Sequence, residues 1–231
     1  RYRPDFSATG VRAGGFLFYP TLSVEGKFDS NIYAKDEDVA EEVDDFITII
    51  KPALSLSSNW SSHYFAINAG AELGRYADNG TEDYEDFNLG ASGRLDISRG
   101  SNIVADLTYT DGHEDRGAPD AVGNQEEQTK FRVLTAHAGF KRDEGLVSFA
   151  LDGTYQKKDY EDAPLNGGGF LENDDRDREE LSASIRLGYD LNDDYEAFVK
   201  LTTSATDYRL DPRDGRNVDE VKDSDGWEIV G

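Results

Sequence analysis

Apolar and polar residues alternate along most of this chain with a period of two. In the first such stretch, FLFYPTLSVEGKFDSN (residues 16–31), the apolar residues Phe16, Phe18, Leu22 and Val24 alternate with increasingly polar ones. A period of two predicts a β-strand with one apolar face and one polar face. No segment shows a clear helical period. The pattern predicts nine strands and the beginning of a tenth, at residues 16–31, 46–58, 64–76, 87–97, 102–110, 129–141, 146–158, 179–189 and 195–206, and from Trp227 onward.

The connections between the predicted strands alternate in length. Four are short, at residues 59–63, 98–101, 142–145 and 190–194, and five are long, at residues 34–45, 77–86, 111–128, 159–178 and 207–226. A hairpin therefore recurs along the chain, and no domain boundary interrupts it. We expect an all-β, antiparallel up-and-down meander over residues 15–231, preceded by an N-terminal arm over residues 1–14. All the long connections of such a meander emerge at one end.

Charge is concentrated in the long connections. The chain has a net charge of −24, and the five long loops account for all of it, because acidic and basic residues balance elsewhere. One end of the meander is therefore strongly acidic. This charge argues against nucleic acid as a partner, since basic side chains are needed to neutralise phosphates. The chain contains no cysteine, which excludes disulfides and thiolate metal sites.

The two faces of the predicted strands differ in character. On eight strands one face has no charge near its middle; its side chains include Leu22, Leu54, Leu73, Leu89, Leu107, Leu151, Leu187 and Leu201. The other face carries charges of both signs, as the wall of a water-filled lumen does. The charged residues that we predict to line a lumen are Glu25, Lys27, Lys51, Glu72, Arg94, Asp96, Asp106, Asp152, Arg186, Glu196 and Lys200. In the strand at 129–141, Phe131 and Leu134 have opposite parity, and we expect a β-bulge there.

Alternation alone does not say whether the apolar face meets lipid or a protein core, since small soluble barrels alternate as well. Three features favour lipid. Short turns at one end and long loops at the other are typical of outer-membrane barrels. About ten residues of a tilted strand span on the order of 25 Å, the height of the apolar band of such barrels. Aromatic residues such as Phe16, Trp60 and Tyr189 end the apolar rows, as interface girdles do. A soluble barrel remains the alternative.

The prolines and the outer strands raise two further points. Pro20 and Pro52 fall inside predicted strands, so edge positions or bulges must accommodate them. The first and ninth strands would leave backbone groups unpaired, and lipid cannot satisfy these groups. We therefore expect an incomplete barrel, a curved meander whose first strand lacks a partner. The native protein would then continue to a total of about 12–18 strands.

Two stretches of the chain resemble a known family. The segment Arg3 to Ala34, RPDFSATGVRAGGFLFYPTLSVEGKFDSNIYA, has an Arg-Pro start, Gly-Val-Arg, an aromatic-rich strand with Tyr-Pro, and Phe-Asp-Ser-Asn-Ile-Tyr. It resembles the opening segment of the putative β-barrel porin type two family of Gram-negative outer-membrane proteins. The final DSDGWEIVG is similar to the start of a strand in that family. The resemblance implies an outer-membrane barrel with a periplasmic N-terminus, and a link of some members with surface polysaccharide production. It brings no catalytic residues.

The expected function is a pore or a conduit associated with surface polysaccharide, in the bacterial outer membrane, and not an enzyme. The alternative is a structural or adhesive surface barrel that presents acidic loops. A third hypothesis is a rim hydrolase, because His113 in TDGHEDR lies near Asp111 and Asp115; a solvated loop histidine explains the same motif. No catalytic residue and no cofactor is predicted.

The expected partners follow from the faces and the loops. They are outer-membrane lipid, the exopolysaccharide machinery and weakly bound divalent cations. The acidic segments DEDVAEEVDD and ENDDRDRE offer oxygen ligands for such cations. Neither segment has the ligand spacing and central glycine of an EF-hand, so that a structural metal site is not expected.

Overall fold

The computed structural model describes residues 10–35, 41–118, 124–192, 194–209 and 223–231. Its strands are β1 (Val11–Ala13), β2 (Phe16–Asp29), β3 (Asp45–Ser58), β4 (Tyr64–Tyr76), β5 (Tyr84–Asp96), β6 (Ser101–His113), β7 (Lys130–Glu144), β8 (Val147–Tyr160), β9 (Ala163–Pro164), β10 (Phe170–Leu171), β11 (Arg178–Asn192), β12 (Tyr195–Tyr208) and β13 (Ser224–Val230). Within the described ranges, the helical segments are two short 3₁₀ turns, Gly80–Glu82 and Asp174–Arg176. No helix in those ranges is long and apolar enough to cross a membrane.

Eleven strands form one antiparallel sheet in chain order, from β1 at one edge to β13 at the other. The strands β9 and β10 pair as a separate ribbon in the loop after β8. The predicted meander is confirmed, since nine long strands and a tenth lie within a few residues of their predicted positions. The sheet is not closed, because β1 and β13 do not pair with each other in the described residues. The sequence pattern assigns β1 to the N-terminal arm, since three residues are too few to show a period.

Within the described ranges, no part of the chain forms a layer over the apolar face of the sheet. Leu22, Val24 and Trp227 are 69%, 66% and 77% exposed. A soluble barrel would enclose these side chains in its core, and an exposed apolar surface of this extent marks a binding or membrane surface. The apolar face is therefore the lipid face, and the soluble alternative is wrong.

The predicted β-bulge in β7 is also wrong. Strand β7 pairs with both β6 and β8 in one continuous register. Because side chains alternate along a strand, Leu134 and Phe140 point to the lipid face and Phe131 points to the polar face. The opposite parities of Phe131 and Leu134 therefore reflect the position of the Phe131 side chain on the polar face, at the loop end of the sheet. A register shift occurs instead in β11, between Asp190 and Asn192.

The two strand prolines are accommodated without a change of register. Strand β1 pairs with β2 only as far as Phe18, so Pro20 follows on a strand edge that has no partner in the described residues. Pro52 interrupts the pairing of β3 with β4, and the pairing resumes in the same register at Ala53. At such places the missing N–H removes a hydrogen bond without displacing the strand.

Candidate functional site on the polar face

The middle of the polar face is lined with small hydroxyl and amide side chains. The Ser55 hydroxyl donates to the side-chain oxygen of Asn68 at 2.7 Å, and the Gln156 amide donates to the Thr135 hydroxyl oxygen at 3.0 Å. The register places further members on this face, among them Ser23, Asn88, Ser92, Thr108, Thr154, Ser182, Ser184, Thr202 and Ser204. Such groups exchange hydrogen bonds with water as readily as with one another. The surface is therefore suited to contact with water.

All eleven charged residues predicted to line a lumen lie on this polar face. Most of them pair with a neighbour on the same or the adjacent strand. The pairs are Lys27 with Asp29 at 2.8 Å, Lys51 with Glu72 at 3.0 Å, Arg94 with Asp96 at 2.8 Å, and Arg186 with Glu196 at 2.5 Å. These ion pairs run along the wall of the sheet. They therefore need no partner from across the polar face.

Two of the predicted residues flank a histidine in the middle of the face. His137 Nδ1 lies 3.1 Å from Asp106 Oδ2, and His137 Nε2 lies 3.6 Å from Asp152 Oδ1. The three side chains come from neighbouring strands, so sequence spacing gives no sign of their contact. Among the described residues, Glu25 and Lys200 form no ion pair. The predicted residues are thus distributed along the wall and do not converge on one point.

A row of aromatic side chains crosses the polar face at its loop end. Each of strands β4 to β8 and β12 contributes one member, and the row consists of Tyr76, Tyr84, His113, Phe131, Tyr160 and Tyr208. We call this set the aromatic row. Each member stands at a strand end, next to a long loop. Sequence reasoning missed the row because it considered strand-end aromatic residues only on the apolar face. The row could have been found from the alternation of side chains along each strand. Most of these residues are an even number of positions from the charged residues of their strand, which places them on the polar face.

The rings of the aromatic row pack on one another and on the wall. The Tyr84 and His113 ring centroids are 4.2 Å apart, and those of Phe131 and Tyr160 are 6.0 Å apart. The Tyr84 ring lies against Gly74, where any Cβ would collide with it. The Tyr84 hydroxyl also donates to Glu72 at 2.9 Å. Glycine at this position therefore allows the ring to lie against the sheet.

His113 does not occupy the solvated loop position expected for it. It is the last residue of β6, and its side chain is only 9% exposed. Its Nδ1 lies 2.9 Å from Asp86 Oδ1, and its Nε2 lies 3.9 Å from the carboxylate of the exposed Asp115. The interpretation as a solvated loop histidine is wrong, because the ring packs on Tyr84 and pairs with Asp86 at the wall.

Arg116 and Glu82 form a buried ion pair close to Tyr76 of the aromatic row. The guanidinium donates to Glu82 through Nε at 2.8 Å and through Nη2 at 2.5 Å. It also donates to the main-chain oxygens of Gln125 at 2.8 Å and Glu126 at 3.0 Å. One side chain thereby joins the loop 77–83 to both described parts of the loop between β6 and β7. Bidentate charge-assisted bonds of this kind are the strong ones in proteins.

Further contacts tie the loops into one layer at this end of the sheet. We call it the loop cap, and it comprises residues 30–35, 41–44, 77–83, 114–118, 124–129 and 161–177. The buried Asp45 carboxylate accepts from the backbone N–H of Asn79 at 2.9 Å and from its side chain at 2.8 Å. The Asn166 side chain donates to the main-chain oxygen of Gln125 at 3.1 Å. Consecutive long loops are therefore held together by specific hydrogen bonds.

Basic residues offset part of the acidity of the loops. Examples are the ion pairs of Arg176 with Glu114, Arg132 with Glu161, and Arg75 with Glu85. The first of these joins two different long loops. Mutual repulsion between the loops, which their composition predicts, is thus opposed by direct attraction.

No three histidine, aspartate or glutamate side chains are grouped to hold a metal ion in the described parts of the chain. The segment at 172–179 is described, whereas half of the acidic segment at 36–45 lies outside the described residues. Weak binding of divalent cations by the loops stays a prediction.

Asp177 in the loop cap should make the cap more stable in mild acid. Burial, together with the neighbouring Asp159 and Asp174, raises the pKa of Asp177 from 3.8 to about 6, against a hydrogen bond from the Tyr160 N–H that lowers it. The folded state therefore holds this proton more tightly than the unfolded state, so stability is lost as the pH rises through about 6.

Asp177→Asn removes this titration and isolates its effect. The asparagine still offers an oxygen to the Tyr160 N–H, which Asp177 now binds at 2.6 Å. We expect the variant to be more stable than the parent at pH 8, with a difference that shrinks toward zero below pH 5. Denaturant unfolding at several pH values measures it. A difference that does not change with pH would contradict the assignment.

Comparison with known proteins gives a family match over nearly the whole chain. The family model described as Putative beta-barrel porin 2 matches residues 3–231. A search of curated proteins finds no match. Among solved structures, one similar chain is titled Copper transporter OprC, with 9% sequence identity, a TM-score of 0.49, and an alignment that covers 92% of this chain and 38% of that chain. This chain therefore spans less than half the length of that protein. Because the family model covers nearly all of the sequence, the chain belongs to the family Putative beta-barrel porin 2.

Proposed function

We propose that this chain forms the wall of an outer-membrane pore for small hydrophilic solutes. One observation carries the proposal: the sheet has an apolar face that no described residue covers and, opposite to it, a face lined with hydroxyl, amide and paired charged groups. Lipid suits the first face and water suits the second. Charged rings and polar linings of this kind set which solutes pass through a channel. The proposal assigns no catalytic step to the chain.

The arrangement of the charges supports an open lumen over a filled one. Ion pairs such as Lys51 with Glu72 and Arg186 with Glu196 are closed within the wall. Their side chains do not need a partner from a facing wall. The side chains of these four residues are about one third exposed, from 31% to 40%. This exposure supports access of solutes and water to the polar face.

A second candidate function is structural or adhesive, in which the barrel presents its acidic loops at the cell surface. It is favoured by the loop cap, which a buried ion pair and several main-chain hydrogen bonds hold in one arrangement. A role with surface polysaccharide is a narrower version of either function, and it rests on the family resemblance alone. Conductance separates the two candidates, because only the pore passes ions.

Cysteine labelling of the purified native protein in a planar bilayer tests the pore. The chain has no cysteine, so that each new thiol is the single target within it. Thr108 and Leu107 are neighbours on β6 that point to opposite faces. A charged methanethiosulfonate reagent should reduce the ion current of Thr108→Cys and leave the current of Leu107→Cys unchanged. Absence of any current, or equal block of both variants, would overturn the proposal.

The pore should prefer cations at low ionic strength. The long loops carry the whole net charge of −24 even after their own basic residues are counted. Charges act over about 30 Å at 0.01 M salt but over only about 3 Å at 1 M. We expect a cation-to-anion permeability ratio well above one at 0.01 M that falls toward one at 1 M. Reversal potentials under a salt gradient measure this ratio. Preference for anions at low salt would show that the loops do not control entry.

The proposed partners follow from the same surfaces. Outer-membrane lipid would contact the apolar face, and divalent cations would associate loosely with the acidic loops. Exopolysaccharide machinery is a further proposed partner, which co-purification with the native protein would test.

A further inference from the structure

Asp106, His137 and Asp152 form a charged cluster in a part of the polar face where the other described side chains are uncharged. We call these three residues the His137 cluster. His137 stands opposite Asp106 on β6 and opposite Thr154 on β8. The side chains around the cluster on the same face include Ser92, Val104, Thr108, Thr135, Gln156 and Ser184. The His137 cluster is therefore the source of charge in this part of the face.

Each ring nitrogen of His137 faces a carboxylate. Nδ1 lies 3.1 Å from Asp106 Oδ2, and Nε2 lies 3.6 Å from Asp152 Oδ1. Gly139 stands opposite Asp152, and a Cβ at this glycine would lie only 3.0 Å from the same Asp152 oxygen. Glycine thus leaves room for the carboxylate to lean toward His137. An imidazolium donates from both nitrogens, whereas a neutral imidazole donates from only one. Both protonation forms therefore have an acceptor, and the charged form has two.

The basic side chains on the same face are engaged with other carboxylates. On β5, β7, β8 and β11 these pairs are Arg94 with Asp96, Lys141 with Asp143, Lys158 and Arg178 with Glu180, and Arg186 with Glu196. Strand β6 carries no basic residue on this face. Among the described residues of these strands, His137 is thus the basic partner of Asp106 and Asp152.

A proton taken up from solution changes the net charge of the His137 cluster. Histidine is the side chain that ordinarily changes its charge between about pH 5 and 8. With an imidazolium the cluster has one net negative charge, and with a neutral imidazole it has two. The side chains of His137, Asp106 and Asp152 are 30%, 47% and 52% exposed. Ions in front of the polar face can therefore approach this charge.

We propose that His137 is a specificity-determining residue of the pore, whose protonation sets how strongly the middle of the lumen prefers cations. The inference rests on the proposed pore and names its regulation by pH. The loops are too distant to have the same effect, since His137 is seven residues from the start of β7, about 23 Å along the strand. Charges act over only about 8 Å at 0.15 M salt. At this ionic strength the cation preference should increase with pH.

Reversal potentials of the native protein in a planar bilayer test this proposal. They are measured under a potassium chloride gradient around 0.15 M, at several values between pH 5 and 8. We expect the cation-to-anion permeability ratio of the parent to rise about two- to fivefold over this range, the size of one unit charge acting through water at a few ångström. His137→Gln is uncharged at every pH. Its ratio should stay near the high-pH value of the parent and change little with pH.

His63 provides a matched control, because it is an exposed histidine in a short turn at the opposite end of the sheet from the long loops. Its φ of 64° lies in the left-handed region, which asparagine tolerates. His63→Asn should therefore keep the pH dependence of the parent. A ratio that does not change with pH in the parent, or a His137→Gln variant that keeps the full pH dependence, would overturn the proposal.

Nitrogen-15 NMR of the detergent-solubilised native protein, labelled at histidine, follows the proton without any current. The signals of His137 are those that His137→Gln lacks. We expect both ring nitrogens of His137 to be protonated at pH 5 and only one at pH 8. A His137 ring that keeps one form over this range would overturn the inference and leave the pore in place. Absence of current at every pH would overturn the pore and this inference with it.

Discussion

Leu54→Arg and Leu187→Arg should each impair assembly of the sheet in the membrane, whereas Ser55→Arg and Ser184→Arg should be tolerated. Leu54 and Leu187 lie on the lipid face and are 42% and 53% exposed. An arginine that faces lipid near the midplane of an outer-membrane barrel costs roughly 2–4 kcal/mol. This is a large fraction of the 5–15 kcal/mol by which proteins are commonly stable. The folded fraction after insertion into vesicles, and its unfolding in denaturant, measure the effect.

The two serine substitutions are matched controls. Ser55 lies on the polar face of β3, the strand of Leu54, and Ser184 lies on the polar face of β11, the strand of Leu187. Ser184 stands opposite Asp152 on β8, so an arginine there gains a carboxylate as neighbour. Ser55 donates a hydrogen bond to Asn68, and the loss of that bond costs about 1 kcal/mol. We therefore expect a small effect at both positions. Equal damage from leucine and serine substitutions would contradict the assignment of the two faces.

Arg116→Ala should have an effect of similar size, confined mainly to the loop cap. Arg116 and Glu82 are 9% and 1% exposed, and the substitution leaves the Glu82 carboxylate buried without its cation. Removal of one partner from a buried ion pair costs about 3–5 kcal/mol. Two main-chain oxygens, of Gln125 and Glu126, also lose their donor. Hydrogen exchange of residues 77–83 and 124–129 should accelerate strongly, while exchange in the middle of the strands should not.

A double-mutant cycle separates the ion pair from simple loss of packing. Combination of Arg116→Ala with Glu82→Gln removes the unpaired buried charge, so the double variant should be less destabilised than the sum of the two single variants. The exposed pair of Arg75 with Glu85, at 41% and 55%, provides the comparison. Glu85→Gln should change stability by less than about 1 kcal/mol. An effect of Arg116→Ala no larger than that of Glu85→Gln would show that the pair does not hold the cap.

The strands could be predicted from the sequence because their cause is local. Alternation with a period of two assigns each residue to a face without knowledge of its partners. The position of Leu22 on one face and of Lys51 on the other follows from this rule, and the structure agrees. The same rule correctly put Phe131 and Leu134 on opposite faces. The prediction of a β-bulge in β7 was wrong because an aromatic residue on the polar face was not expected.

The aromatic row and the loop cap could not be predicted, because their contacts join residues far apart in the sequence. Arg116 meets Glu82 across 34 positions, and Arg176 meets Glu114 across 62. No spacing rule connects such residues, since each lies in a loop without a period. The acidic composition of the loops even favours the opposite expectation, that they repel one another. The loops attract one another because a few basic residues lie opposite loop carboxylates. The register of the strands that carry the loops sets these positions.

The sequence by itself determined the strand order, the two faces and the acidic end of this protein, since each depends on residues that are neighbours along the chain. Tertiary structure alone decided what those surfaces meet. It showed that no described part of the chain covers the apolar face, that charges of the polar face pair along the sheet, and that the His113 ring packs on Tyr84. The physical reason is that burial and ion pairing depend on distances in space, which strand register and loop closure set together.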